Sequence, residues 1–250
     1  MRRSRAFFVV AALWIAVAGC ARGIGTAATE VPIGAQTPTE ATEAAEEDGS
    51  ELPATPDDYA TAAFDAWRRG DQEALAQLAK PAVASVLASR APESPDGWEG
   101  PQCEGAAGST YCTWVRPETQ LTIRIANEAA SQGQSQAVSG ATFAAPPGAV
   151  AIWPYTTAEE AQNSQEQVDE GHSPWQLSPE AVALAYADAV LGWHTANAEP
   201  TQGSDTRFTV TDTDPEGGGV VELELVQPVR PGEGGIWAIT RVDAIDQSGV

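Results

Sequence analysis

Cysteine and histidine, the residue types best suited to act as nucleophile or general base near neutral pH, are few in this chain: three cysteines and two histidines. Cys20 lies near the N-terminus, and Cys103 and Cys112 lie close together in the middle of the chain. His172 and His194 have no sequence neighbour that would orient either of them as a general base. Nucleophile-elbow, phosphate-loop and dinucleotide-binding motifs are absent from the sequence. We therefore predict no catalytic residue, no cofactor and no metal ion.

Cys20 is preceded by the three parts of an export signal. Three arginines stand within the first five residues, an uncharged apolar run extends to position 16, and Val-Ala-Gly precedes the cysteine. This pattern resembles the lipobox of bacterial lipoproteins, in which the cysteine takes up a diacylglycerol and becomes the mature N-terminus. The resemblance implies a signal peptide over residues 1–19, fatty acyl chains such as palmitate on Cys20, and a lipid-anchored protein on the extracytoplasmic face of the cell membrane.

Two other interpretations of this N-terminus remain open, namely secretion without an anchor and an uncleaved membrane helix. An ordinary secretory signal does not require a cysteine directly after the cleavage point. A membrane helix needs about 20 apolar residues, and the run here is shorter. Two acyl chains anchor a protein stably, whereas a single chain binds only marginally. We therefore expect a diacylglycerol on Cys20 to be a permanent anchor.

The charge of the chain excludes several classes of partner. The net charge is −22, and three of the 13 basic residues precede Cys20, which leaves 10 against 35 acidic residues and a net charge of −25. Nucleic-acid binding requires a cationic surface, and so does electrostatic docking on anionic lipids. The predicted partners are the membrane, through the anchor at Cys20, and another envelope protein or a cell-wall component; no nucleic acid is expected.

The two remaining cysteines are expected to form a disulfide. Export places the protein in an oxidising compartment, where a cysteine pair at this spacing is typically bonded. Metal binding is the alternative, but Cys103 and Cys112 lack the second pair of ligands that a zinc site requires. The glycines between them supply the flexible backbone of a tight turn.

The rest of the chain divides into a tether and two folded units. Residues 20–54 are rich in Ala, Thr, Pro and acidic side chains, so we predict a disordered tether that spans about 30 Å. A first α+β domain is predicted over residues 55–145 and a second over residues 146–250. In the second, a short apolar strand over residues 150–153 and two helices precede a three-stranded antiparallel sheet, with strands at 206–211, 220–226 and 236–242.

The first domain begins with helices whose caps are visible in the sequence. Thr55 and Pro56 form an N-cap and a first helical residue, and Gly70 ends the helix. Asp71 caps a second helix, which Pro81 should interrupt. Strand-like runs then follow at residues 110–115, 121–125 and 138–143.

The helices followed by a disulfide hairpin resemble the NTF2-like (SnoaL-like) domains of secreted actinobacterial lipoproteins. The motifs that carry the resemblance are residues 63–71, AFDAWRRGD, and residues 103–112, CEGAAGSTYC. The resemblance implies an NTF2-like fold, with helices packed on a small antiparallel sheet. Members include enzymes and pure interaction modules, so the fold does not fix the function. Isomerase chemistry needs a tyrosine and carboxylates that converge, and Tyr59, Asp65 and Tyr111 are the only obvious pieces.

Tryptophan is the one enriched residue type that suggests ligand binding. Seven tryptophans follow the signal segment, and most fall on predicted helix stripes or strands, where burial explains them. Trp98 and Trp175 lie in predicted loops and are the candidate ligand contacts. We predict a non-enzymatic binding or interaction module of the cell envelope. The alternative is a small-molecule enzyme or a lipid or ligand carrier with an NTF2-like pocket.

Overall fold

The structure, a computed structural model, describes residues 52–90, 96–214 and 219–245. The predicted signal peptide, Cys20 and the tether up to residue 51 lie outside these ranges. Within them, no helix has both the length and the apolar composition needed to cross a bilayer.

The first helix begins and ends at the predicted caps. Helix α1 spans Pro56–Arg69, the Thr55 hydroxyl accepts the backbone N–H of Asp58, and Gly70 follows in the left-handed conformation with φ 67°. The proline has no N–H, and at the first helical position that group would have had no partner. The sequence prediction of this helix is confirmed.

The predicted interruption at Pro81 is also confirmed. Helix α2 spans Gln72–Leu78, with the Asp71 carboxylate accepting the backbone N–H of Ala74, and helix α3 spans Pro81–Ser89. A proline inside a continuous helix would remove one hydrogen bond and clash with the preceding turn. The chain therefore starts a new helix at Pro81, which turns α3 onto the sheet.

Eight strands form one antiparallel sheet, in the order β1-β2-β3-β4-β8-β7-β6-β5. The strands are β1 Glu99–Ala106, β2 Ser109–Arg116, β3 Thr119–Ala126, β4 Val138–Ala144, β5 Ala196–Pro200, β6 Arg207–Asp212, β7 Val220–Val226 and β8 Ala238–Ile245. The predicted α+β class and the hairpin that carries the disulfide are confirmed.

The sheet consists of two four-stranded meanders that meet at β4 and β8. Phe143 of β4 lies opposite Val242 of β8, and both side chains are buried. The predicted separate three-stranded sheet is therefore not found, because β8 pairs with β4 as well as β7 and because β5 adds a fourth strand. Pairing β4 with β8 removes an apolar edge from each meander. The described residues belong to one compact unit, which includes both sides of position 145.

The remaining elements lie around this sheet. They are α4 Asn127–Ser131, α5 Ala158–Asp169, a 3₁₀ turn Pro174–Leu177 and α6 Pro179–Tyr186, which continues as a π-helical turn over Ala187–Leu191. Thr157 and Glu160 form a capping box at the start of α5. The strand predicted over residues 150–153 is wrong: this segment forms only one isolated bridge, between Trp153 and Ile239.

One face of the sheet is covered by helices and the other is polar. Helices α1, α3 and α6 pack on the apolar face, where Leu121, Ile123 and Leu223 are fully buried. The opposite face carries a continuous cross-strand row of polar side chains. The row runs Gln102, Thr113, Thr122, Thr142, Asp243, Glu222, Thr209 and Glu199. This one-sided alternation is typical of antiparallel sheets.

The disulfide gives a stability prediction. Cys103 and Cys112 are directly opposite each other in β1 and β2, with the S–S bond present and the Cα atoms 4.0 Å apart. Replacing both by Ala should lower the free energy of unfolding by about 2.5 to 3 kcal/mol, because the unfolded chain is no longer constrained. Urea denaturation measures the change. Reduced wild-type protein is the control and should match the double variant; equal stability of oxidised and reduced protein would contradict the prediction.

Candidate aromatic binding pocket

A pocket of about 420 Å³ opens beside the apolar face of the sheet. We call it the aromatic pocket, because five of its lining residues are aromatic: Trp67, Trp98, Phe143, Trp153 and Tyr186. Its volume falls in the range of small-molecule sites, which are mostly apolar with a few placed polar groups. Three charged residues, Arg90, Arg116 and Glu118, supply those polar groups.

The aromatic side chains reach the pocket from elements far apart in the sequence. Trp67 lies in the last turn of α1, Phe143 in β4 and Tyr186 at the end of α6. Trp153 is held by its bridge to Ile239 in β8, and its ring lies 5.7 Å from that of Tyr186. Both predicted domains therefore contribute to the lining.

A wall of stacked rings supports one side of the pocket. Phe64 of α1 stacks on Trp114 of β2, with ring centroids 4.3 Å apart and an interplanar angle of 3°. Trp98 packs edge-on against Phe64 at 5.7 Å and against Trp67 at 5.4 Å. Offset-stacked and edge-to-face pairs are the favoured geometries for aromatic rings and stabilise beyond their buried area. Trp98 is thus fixed by its neighbours rather than free in a loop.

Arg90 is the polar group that the fold holds most firmly in the pocket. Its backbone carbonyl accepts the Trp67 indole N–H at 2.8 Å, and its Nη1 donates to the Tyr186 hydroxyl at 2.9 Å. The guanidinium carbon lies 4.2 Å from the centre of the Phe143 ring, within the range of a cation–π interaction. The Trp67 hydrogen bond holds the Arg90 backbone, and the contacts with Tyr186 and Phe143 position the guanidinium.

The second arginine of the lining is already neutralised. Arg116, at the end of β2, forms an ion pair with Glu118, with Nε and Oε2 3.1 Å apart. Its guanidinium carbon also lies 5.6 Å from the centre of the Trp98 ring. Glu118 is half exposed, so this pair lies at the solvent side of the pocket.

The structure separates the two predicted ligand contacts. Trp98 lines the aromatic pocket, whereas Trp175 lies outside its lining and is 36% exposed. The Trp175 ring nevertheless lies 5.9 Å from the ring of Trp153, on the 3₁₀ turn beside the pocket. Trp67, interpreted from the sequence as a core residue, is 2% exposed and also lines the pocket. Sequence reasoning missed Arg90, Phe143 and Tyr186 as pocket residues, because no local motif links them.

The three residues that an isomerase would require do not converge. The Tyr59 hydroxyl donates to the backbone carbonyl of Gln134, away from the pocket lining. Tyr111 lies on the polar face of the sheet opposite Arg124, which packs over its ring. Asp65 is not among the lining residues. The charged groups of the aromatic pocket are thus two arginines and one paired carboxylate, with the hydroxyls of Thr119 and Thr156 as its other polar side chains.

The structure corrects one expectation for the histidines, because the carboxylate of Asp188, six residues before His194, lies in position to orient its ring. Exposed His194 lies with Nδ1 2.6 Å from Oδ1 of Asp188, and His172 is exposed. Asp57, Cys103 and Cys112 are close enough to share a metal ion, with ligand atoms within 4.8 Å of one another. Both sulfurs are however in the disulfide, and metal binding requires thiolates.

Comparison with protein-family models, with curated proteins and with solved structures finds no match. The pocket must therefore be interpreted from its own residues.

The buried Tyr186 gives a pH prediction. Burial raises the pKa of its hydroxyl above the usual value near 10, although the positive charge of Arg90 opposes part of this shift. Above pH 10 the unfolded chain loses this proton and the folded chain keeps it, so stability is complete below pH 10 and falls as the pH rises further. In urea denaturation between pH 8 and 11, Tyr186→Phe should make this decline shallower by up to about 1.4 kcal/mol per pH unit. Equal slopes for the variant and the wild type would contradict the prediction.

Proposed function

We propose that the protein is a lipid-anchored binding module of the cell envelope, which takes up a small, largely apolar molecule in the aromatic pocket. The proposal rests on one observation. Aromatic side chains from both halves of the fold surround one cavity of about 420 Å³. The pocket is a cleft open to solvent on one side, so a molecule could enter it without disturbing the packed core. A cavity that five aromatic residues line without filling suits a ligand of matching character.

Binding is a better interpretation than catalysis. General acid–base chemistry needs groups whose protonation can change near neutral pH. The charged groups of the lining are two arginines and Glu118, and an arginine stays protonated in proteins. Glu118 is ion-paired and half exposed, which is a poor environment for a general base. An enzyme remains the alternative function, and it would require a reacting group supplied by the ligand.

The NTF2-like resemblance is compatible with this function. In the proposed arrangement, helices α1 to α3 cover an antiparallel sheet and a ligand enters at the open end of the helical layer. Trp67 of α1, Arg90 after α3 and Phe143 of β4 all line the pocket, which supports this geometry. The disulfide hairpin and the stacked rings behind it would then stiffen one pocket wall.

An envelope protein partner is a second candidate function, favoured by one surface feature. Trp175 and Leu177, on the 3₁₀ turn, are 36% and 40% exposed. Exposed large apolar side chains next to each other are a common mark of protein interaction sites. Two such residues are a small patch, so the pocket remains the stronger candidate.

The binding prediction uses a neutral apolar probe, N-phenyl-1-naphthylamine, whose fluorescence rises in apolar sites. Wild-type protein should bind it with a saturable signal. Trp98→Leu should weaken binding at least about fivefold, because that ring lines the cavity and a good apolar contact is worth about 1 kcal/mol or more.

Trp175→Leu is the matched comparison, because it removes the same side chain from outside the lining. It should change the affinity by less than about twofold. Far-ultraviolet circular dichroism and the melting temperature establish that each variant is folded. A wild-type protein without a saturable probe signal would overturn the proposed function, and equal effects of both variants would contradict the assignment of Trp98.

The anchoring part of the proposal is tested separately in cells. Cys20→Ala should move the protein from the membrane fraction to the medium, because the thiol that takes up the diacylglycerol is removed. Fractionation and immunoblotting measure the distribution, and unchanged binding of the probe serves as the folding control. Retention of the variant in the membrane would contradict a lipid anchor and favour an uncleaved helix near residues 6–19.

A further inference from the structure

We infer that the aromatic pocket selects an anionic ligand, and that the anionic group binds to the guanidinium of Arg90. The inference rests on the proposed function and adds a charge and an orientation to the ligand. The expected class is a carboxylate, sulfonate or phosphate monoester on a planar apolar body. Such a molecule would place its anion at Arg90 and its rings against Trp67, Trp98 and Trp153.

The hydrogen-bonding capacity of Arg90 is the first step of the argument. A guanidinium carries five N–H donors and no acceptor. Among the described residues, the Tyr186 hydroxyl is the only side chain that accepts from it. The fork that remains matches the geometry of a carboxylate or phosphate oxygen pair, which arginine binds in bidentate fashion.

The charge balance of the pocket is the second step. Arg116 is neutralised by Glu118, 3.1 Å away. Within the described ranges, Arg90 forms no ion pair with a carboxylate. A partly buried cation among aromatic rings is costly unless a counter-charge is supplied. A bound anion would supply this counter-charge. The pocket should therefore bind an anionic ligand more tightly than an uncharged ligand of the same shape.

The position of Arg90 also disfavours a cationic ligand. Aromatic cages recognise cations through the faces of their rings. Here the guanidinium already lies 4.2 Å from the centre of the Phe143 ring and also contacts the Tyr186 ring face at 5.9 Å. A second positive charge in the same cavity would be repelled.

The net charge of the protein works against the anion preference that we infer. At −22, the chain as a whole attracts cations and repels anions. A preference for anions must therefore come from the local geometry at Arg90, since general electrostatic attraction works against it.

A matched pair of probes tests the inference on the folded protein. 1-Anilinonaphthalene-8-sulfonate has the ring skeleton of N-phenyl-1-naphthylamine with one sulfonate added. Wild-type protein should bind the sulfonate at least about tenfold more tightly than the neutral probe, as expected for a hydrogen bond to a charged group. Titration followed by probe fluorescence and by isothermal calorimetry gives both dissociation constants.

Substitution of Arg90 should remove the preference for the sulfonate over the neutral probe. Arg90→Gln should weaken binding of the sulfonate roughly 10- to 100-fold. The affinity for the sulfonate should fall at least about fivefold more than the affinity for the neutral probe, and circular dichroism with the melting temperature establishes that the variant is folded. Tyr186→Phe removes the oxygen that holds Arg90 and keeps the ring, so it should weaken binding of the sulfonate a few-fold more than binding of the neutral probe. Arg124→Gln is the matched control, because this arginine lies on the polar face of the sheet.

The outcomes separate the two proposals. Equal affinities of wild-type protein for the two probes would overturn the inference and leave the proposed function standing. A loss of both probes to the same extent in Arg90→Gln would also overturn it, since the residue would then act only through the shape of the pocket. The absence of saturable binding of the neutral probe to wild-type protein would overturn the proposed function itself.

Discussion

The pairing of β4 with β8 is the interaction on which the rest of the structure depends. Each meander buries apolar side chains on one face, and each would leave an apolar edge strand exposed if it stood alone. In the joined sheet, Ala141 and Phe143 of β4 lie beside Ala244 and Val242 of β8, all of them buried. The pairing also brings the connection that carries Trp153, and the end of α6 that carries Tyr186, next to Trp67 and Arg90. The aromatic pocket exists because of this one ladder.

The elements that could be predicted from the sequence are those whose signals are local. Thr55 with Pro56 and Thr157 with Glu160 specify helix starts within four residues, and the structure forms the corresponding caps. The alternation of Val221, Glu222 and Leu223 similarly marks a strand with one buried face.

The alternation of buried and exposed residues is absent from β1. Gly100 and Pro101 interrupt its register with β2, and nearly every residue of the strand is exposed. An edge strand that buries almost nothing has no alternation to recognise.

The pocket was predictable only in part, for a related reason. Trp98 was a candidate because a tryptophan in a loop needs an explanation beyond burial, and it does line the cavity. Arg90 and Tyr186 are 96 residues apart, and their hydrogen bond follows from the strand order of the sheet. That order is a long-range property, which helix and strand periodicities do not contain. A division of the chain at residue 145 gives no indication of the site, since residues on both sides of that position line the pocket.

The strand order carries a further regularity that explains where the pocket lies. Reading the sheet inward from either edge gives four consecutive strands of one meander, so the two halves share one strand order. Each half contributes a helix that begins with a capping hydroxyl and a proline, Thr55-Pro56 for α1 and Ser178-Pro179 for α6. The helical runs end at left-handed glycines, Gly70 and Gly192. No residue-level repeat accompanies this pattern, so the correspondence is one of architecture.

The ends of both helical runs, with Trp67 on one and Tyr186 and Val190 on the other, meet at the same cavity. A space between two halves is filled only as well as two independent packing surfaces allow, and five rings and two arginines are among the side chains that line this one.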